Sequence, residues 1–168
     1  MSNIVSAAAY IFAKNTNGEW CVLCGKRSGN NPHHQGGLYD VPVGMREYNE
    51  DIADTARRET YEEAGINIPK NQFRFIEEQP WGNGVNVGSN FLVILDSCLP
   101  IGKGDWEHEG FMWLPVNQVG QYSWAYGMGS VIVKFYKQFV DQKQRPTISE
   151  SKLRQIVEST IRELLLLQ

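Results

Sequence analysis

Three glutamates, Glu59, Glu62 and Glu63, fall within five residues of a segment with helical character. On a helix that advances about 100° per residue they point to about 0°, 300° and 40°, so three carboxylates share an arc of about 100°. Like charges so placed destabilise a helix by a few tenths of a kcal/mol, and crowding raises carboxylate pKa values unless a cation neutralises them. A hard divalent ion resolves the repulsion, because Mg²⁺ takes oxygen ligands and is usually held by one or two carboxylates together with substrate phosphates. The face therefore reads as half of a metal–phosphate site, and a solvated acidic face is the plainer alternative. The flanks favour the site. Gly65 stands where a helix wants a left-handed residue to end on, and Gly44 opens the loop leading in, where a tight turn or a close approach leaves no room for a side chain. Arg58 can pair with Glu62 four residues on and hold that carboxylate in place.

Other residues offer weaker chemistry. Lys26 and Arg27 end an apolar run, and a guanidinium fork matches phosphate oxygens, although a basic strand end is also ordinary surface. Trp81, in the stretch Pro80-Trp-Gly-Asn-Gly84, is an aromatic suited to stacking on a base, or simply a buried hairpin residue. His33 and His34 are adjacent on a loop, a spacing that suits surface or substrate-edge contact better than metal. Asp105, Glu107, His108 and Glu109 read equally as a solvated loop or as participants in the site. Cys21 and Cys24 lie on a strand-like run, where residues three apart face opposite ways and cannot close on one ion, so they read as structural.

The elements that must position these groups are strands at about Ile4 to Ala13, Trp20 to Arg27, Phe73 to Gln79, Asn90 to Asp96 and Phe111 to Leu114. Helices are expected over about Asp51 to Ala64, Ser130 to Asp141 and Ser149 to Leu167. Strands and helices mixed without strict alternation imply a mixed sheet covered by helices. With 168 residues, 42% apolar and 21% charged, the chain is long enough for one domain with a sizeable core, and composition excludes wholesale disorder, collagen and a disulfide scaffold. Sixteen Lys plus Arg against nineteen Asp plus Glu give a net charge of −3, which does not advertise a nucleic-acid or anionic-membrane partner. Three cysteines cannot all pair, which suggests a reducing compartment. No apolar run approaches the ~20 residues that span a bilayer and no targeting address is evident, so a cytoplasmic protein without a membrane partner is expected.

The stretch Gly44 to Ile66, GMREYNEDIADTARRETYEEAGI, resembles the Nudix box, G-x5-E-x7-R-E-U-x-E-E-x-G-U with U apolar, matching at Gly44, Glu50, Arg58, Glu59, Glu62, Glu63, Gly65 and Ile66. Thr60 departs from the pattern, standing where an aliphatic residue is usual. With seven fixed types at about 7% each, a chance match is on the order of 10⁻⁸ at one offset and about 10⁻⁶ over the chain. Arg27, the Gly-Leu-Tyr-Asp-Val-Pro run before the box and a late Trp-Leu-Pro extend the resemblance over about residues 3 to 142. The resemblance implies an α/β fold, specifically a Nudix-type α/β/α sandwich with a mixed β-sheet. It also implies a Mg²⁺- or Mn²⁺-dependent hydrolase acting on a nucleoside diphosphate linked to another moiety, a small-molecule nucleotide substrate. Carried over by position, Glu59, Glu62 and Glu63 are metal ligands, while Gly44, Glu50 and Arg58 shape the loop-helix-loop. Many relatives carry a further Glu six residues before a Trp. Glu107 stands six before Trp113, which makes it the candidate extra ligand or general base, with Glu63 as competitor for the base and Glu109 as the alternative in that loop. Pro80, fifteen residues after Gly65, resembles the ADP-ribose-cleaving subgroup. Met128 falls where members that cleanse oxidised nucleoside triphosphates often present an Asn.

Residues 1–145 are accordingly expected to form the Nudix domain, and residues 146–168 a C-terminal amphipathic helix. Thr147 and Glu150 have capping-box spacing, and Leu153, Ile156, Val157, Ile161, Leu164 and Leu167 form an apolar stripe that predicts a homodimer through this helix. The alternative function is a Nudix-fold nucleotide-binding or regulatory module that has lost catalysis, against which the complete acidic set argues.

Overall fold

The computed structural model describes residues 3–29, 35–81, 86–141, 155 and 157–159. Its centre is β1 (Asn3–Lys14), in which Ala7, Ala9 and Ile11 face one side of the sheet, Ala8, Tyr10 and Phe12 face the other, and all six are buried. A strand buried on both faces reads as a continuous apolar run rather than an alternation. On one edge β1 pairs antiparallel first with β2 (Trp20–Arg27), Phe12 opposite Val22, and then with β4 (Val43–Met45), Ala7 opposite Gly44. On its other edge it runs parallel to β6 (Asn86–Leu95), which is flanked in turn by antiparallel β5 (Arg74–Trp81). β2 also carries the short β3 (Tyr39–Asp40) and β7 (His108–Pro115), with Leu23 opposite Trp113. The seven strands make one mixed sheet.

Helices cover both faces. Against Ala7, Ala9, Ile11, Leu23, Phe91 and Val93 lies α1 (Ile52–Ala64), which buries Ala56 and Ala64. Against Tyr10, Phe12, Val22, Leu92 and Leu114 lies α2 (Met128–Phe135), with Phe135 meeting Tyr10 edge to face at 5.0 Å between ring centres. Each such aliphatic or aromatic side chain contributes roughly 1.5–3 kcal/mol by leaving water. The result is the expected α/β/α sandwich. Cys24 sides with Val22 while Leu23 faces the other way, and burial, reinforced by Asp40, pushes the Cys24 thiol up to about 12, as an inert core cysteine requires.

Element boundaries differ from expectation where pairing overrides composition. β6 begins at Asn86 rather than Asn90, because its polar, Gly-containing start is held in register by β1. β3 and β4 are two and three residues long, too short for any periodicity to show. The helix expected from Ser130 starts at Met128, after the left-handed Gly127, and its last stretch, Tyr136–Val140, widens into a π turn. Of the expected C-terminal helix only residues 155 and 157–159 are described, and they are helical and exposed; the rest of the stripe lies outside the described residues. Among the described residues no helix is long and apolar enough to cross a membrane.

Candidate active site

The site is built on α1 and the loop that feeds it. Asp51 caps the helix by accepting from the Ala53 N–H, and Gly65 ends it at φ 66°, its own N–H donating to the Tyr61 carbonyl. Thr60, at the position usually aliphatic, is fully buried and donates its hydroxyl to the Ala56 carbonyl at 2.7 Å, so the departure from the box costs no unpaired polar group.

Arg58 organises the loop. Its guanidinium donates to both oxygens of Glu50 at 3.0 and 3.1 Å, to Glu59 at 2.7 Å, to Glu62 at 3.0 Å and to the Met45 carbonyl at 2.9 Å. Glu50 also accepts from the Thr55 hydroxyl and the Glu47 N–H, and the Arg58 fork holds its carboxyl down at about 2. Glu50 and Arg58 thus brace the loop rather than face a ligand alone. Gly44 is explained just as directly, since a Cβ there would overlap the Glu59 carboxylate. The close approach read from the sequence is made by a side chain of the site itself.

The acidic groups sit in graded burial. The Glu62 side chain is half exposed, Glu59 is largely covered, and Glu63 is 3% exposed, its carboxylate accepting from the Val43 N–H at 3.1 Å. Burial pushes Glu63 well above the usual carboxylate range, with Asp40 and Glu59 adding to it. Burial also raises Glu59, although Arg58 pulls the other way, and the nearby charges of Glu62 and Glu107 reinforce the rise. Among the described residues no Lys or Arg pairs with Glu63. A carboxylate cluster that its own neighbours discourage from ionising is complementary to a hard divalent cation, so the residues present fit that group.

A cavity of about 870 Å³ opens over these groups and brings together Glu59, Glu62, Glu63, Glu107 and Arg27. Glu107 stands just before β7, its N–H donating to Asp105 and its carbonyl accepting from Ser28. Glu109 does not line the cavity; it forms an ion pair with Lys26 at 2.6 Å. Arg27 reaches the cavity with its cation already engaged, 2.6 Å from Asp40 and beneath the Tyr126 ring at 5.8 Å. Pro80 and Met128 are also in the wall. Trp81 closes β5, but its side chain, like His33 and His34, lies outside the described residues.

Two residues escaped the sequence reading. Asp40 is wholly buried, accepts from Arg27 and also meets Nε2 of His108 at 2.9 Å. His108 was read only as part of an acidic loop, yet its side chain is 1% exposed. No fixed spacing links residues 27, 40 and 108. The available signal was Asp40 between Tyr39 and Val41, an acid in an apolar strand-like context, whereas His108 lies between Glu107 and Glu109 and nothing local marks it for burial.

With this geometry in view, comparison with known proteins is informative. A family model described as NUDIX domain matches residues 4–138. Over 83 residues, 46% of this chain, the sequence is 34% identical to the NAD-capped RNA hydrolase NudC of Vibrio parahaemolyticus, covering 31% of that protein. The chain therefore spans about a third of the length of the curated relatives it matches. A MutT/nudix family protein from Enterococcus faecalis superposes with TM-score 0.70 at 18% identity, covering 94% of this chain and 68% of the other. The NUDIX domain of Shewanella oneidensis NrtR, complexed with ADP ribose, superposes with TM-score 0.68 at 17% identity, covering 80% and 86% respectively. At such identities the superpositions establish the fold alone.

Proposed function

The chain belongs to the Nudix family, and from that premise we propose that it hydrolyses the diphosphate bond of a nucleoside diphosphate linked to another moiety, releasing a nucleoside phosphate and the phosphorylated remainder. The observation that carries this reading is the Glu63 carboxylate, buried beside Glu59 in the lining of a large cavity with no Lys or Arg counter-ion among the described residues. Glu59, Glu62, Glu63 and Glu107 would hold Mg²⁺ or Mn²⁺. When bound, such an ion neutralises the phosphates and lowers the pKa of water.

The chain's own groups supply the rest. Arg58 keeps Glu59 and Glu62 aimed into the cavity while sharing its charge with Glu50. Arg27 presents a fixed cation to a substrate phosphate, with Asp40 preventing it from swinging. Glu107, lining the cavity beside Glu59, takes the proton from the attacking water, and Glu63 is its competitor for that role. Trp81, by its place in the stretch Pro80-Trp-Gly-Asn-Gly84, is assigned to stacking on the base. An ADP-ribose-like substrate is favoured by Pro80 in the cavity wall and by the ADP ribose bound to the superposing Shewanella domain.

A panel of ADP-ribose, NADH, dinucleoside polyphosphates, nucleotide sugars and nucleoside triphosphates tests the proposal. We expect metal-dependent release of phosphate products from at least one. Tight binding of a nucleotide with no turnover under Mg²⁺ or Mn²⁺ would instead establish the binding-module alternative.

A further inference from the structure

His108 is a buried imidazole whose two nitrogens have different fates. Nε2 lies 2.9 Å from Asp40, a carboxylate fully shielded from water that also accepts from the Arg27 guanidinium. That carboxylate can only accept, so Nε2 carries the hydrogen. In the neutral ring Nδ1 is then left with its lone pair. Among the described residues it has no hydrogen-bond partner, and the nearest acidic oxygen, of Asp105, stands 3.6 Å away, beyond hydrogen-bond range. A buried acceptor without a partner carries a desolvation cost that needs a reason.

The surroundings supply one. Glu63 from the last turn of α1, Asp105 from the loop before β7 and His108 from the first residue of β7 each place one ligand atom within 4.8 Å of the others. Three donors spread evenly round one ion at about 2.0–2.2 Å lie about 3.5–3.8 Å apart, so closing on an ion takes side-chain shifts of up to about 1 Å. A carboxylate that holds one imidazole nitrogen while the other faces a cation is the recurring outer support of histidine metal ligands, fixing tautomer and ring orientation.

We propose that Glu63, Asp105 and Nδ1 of His108 form a nitrogen-containing cation position beside the all-carboxylate face of α1, selective for a borderline transition metal such as Zn²⁺ or Co²⁺ over Mg²⁺. Asp40 is its positioning residue. Imidazole suits these ions, whereas Mg²⁺ keeps to oxygen. The inference shares Glu63 with the proposed hydrolytic reading and otherwise stands on Asp40, Asp105 and His108.

The test uses the full chain stripped by chelator and titrated with metal alone. In calorimetry Zn²⁺ should bind at least ~10-fold more tightly than Mg²⁺, and Asp105→Asn should weaken Zn²⁺ by at least ~10-fold. In pulsed EPR, bound Co²⁺, a paramagnetic stand-in for Zn²⁺, should show coupling to a directly ligated imidazole nitrogen. That coupling should persist in the His33→Gln/His34→Gln double variant and vanish in His108→Gln, whose amide can still donate to Asp40. Absence of nitrogen coupling in the unmodified chain, its survival in His108→Gln, or unchanged Zn²⁺ affinity in Asp105→Asn would each overturn the proposal. Should His108→Gln fail to fold by circular dichroism, the Asp105→Asn titration decides. Failure of every substrate in the hydrolysis panel would sink the hydrolytic reading without touching this one. Turnover with Mg²⁺ but no nitrogen coupling would do the reverse.

Discussion

Glu63 bears a cost that Glu62, the adjacent residue about 100° round the helix and half exposed, escapes. Its carboxyl is raised by burial and by Asp40 and Glu59, so in the metal-free fold its ionisation is unfavourable. The cost is borne at pH above that raised value and is absent below the unfolded value near 4.5. Glu63→Gln keeps an oxygen to accept from the Val43 N–H and removes the charge. Metal-free Glu63→Gln should therefore melt at the same or a higher temperature than the parent at pH 8, by about 2–4 °C per kcal/mol relieved, with the gain shrinking toward pH 4.5 in calorimetric scans. Turnover should fall at least ~10²-fold, and full activity would remove Glu63 from the site. Around the start of β7 the neighbouring acids Glu107 and Glu109 separate cleanly. Glu107→Gln should lose about 10²–10⁴ in turnover with substrate binding retained, whereas Glu109→Gln loses only an exposed ion pair with Lys26 and should stay near the parental rate. The reverse pattern in steady-state kinetics would reassign the base.

At the scale of elements, α1 and its entry loop act as one part because Arg58 ties Glu50, Glu59, Glu62 and the Met45 carbonyl together. Glu50, held at about 2 against an ordinary 4.5, contributes stability that is complete above pH 4.5 and is lost as pH falls through 2. Acid unfolding followed by circular dichroism should show this directly: Glu50→Gln lowers neutral-pH stability by about 1–3 kcal/mol and flattens the loss between pH 4.5 and 2. The same part was the most legible in the sequence. Helical spacing, the Asp51 start and the Gly65 stop all emerge from local chemistry, and α1 forms within one residue of its expected bounds. β1 and β2 were equally plain as apolar runs. What stayed hidden depends on contacts distant in the chain: β3 and β4, which exist only by pairing, the polar start of β6, and the Arg27–Asp40–His108 cluster, assembled from three strands. A positional resemblance could point to Glu107, but only the Lys26 contact shows where Glu109 is directed.

At the scale of the whole molecule, every cavity-lining residue among the described ones lies at or before Met128. The apolar stripe beyond Pro146 predicts a homodimer. Light scattering should give a dimer for the 168-residue chain and a monomer for a chain ending at Arg145, with turnover retained in both; a monomeric full chain, or a dimer indifferent to truncation, would refute this. The sheet has a further consequence, in time rather than space. Asn3 of the central strand aligns with Asn86 of its parallel neighbour, so the strand made first must wait for a partner made 83 residues later. At roughly 5–20 residues per second, ribosomes take about 4–17 seconds to cover that interval. Throughout it, a segment apolar on both faces has one unmatched edge. The nascent chain thus carries an aggregation hazard that the folded domain does not, set by strand order alone and beyond the reach of any substitution in the candidate site.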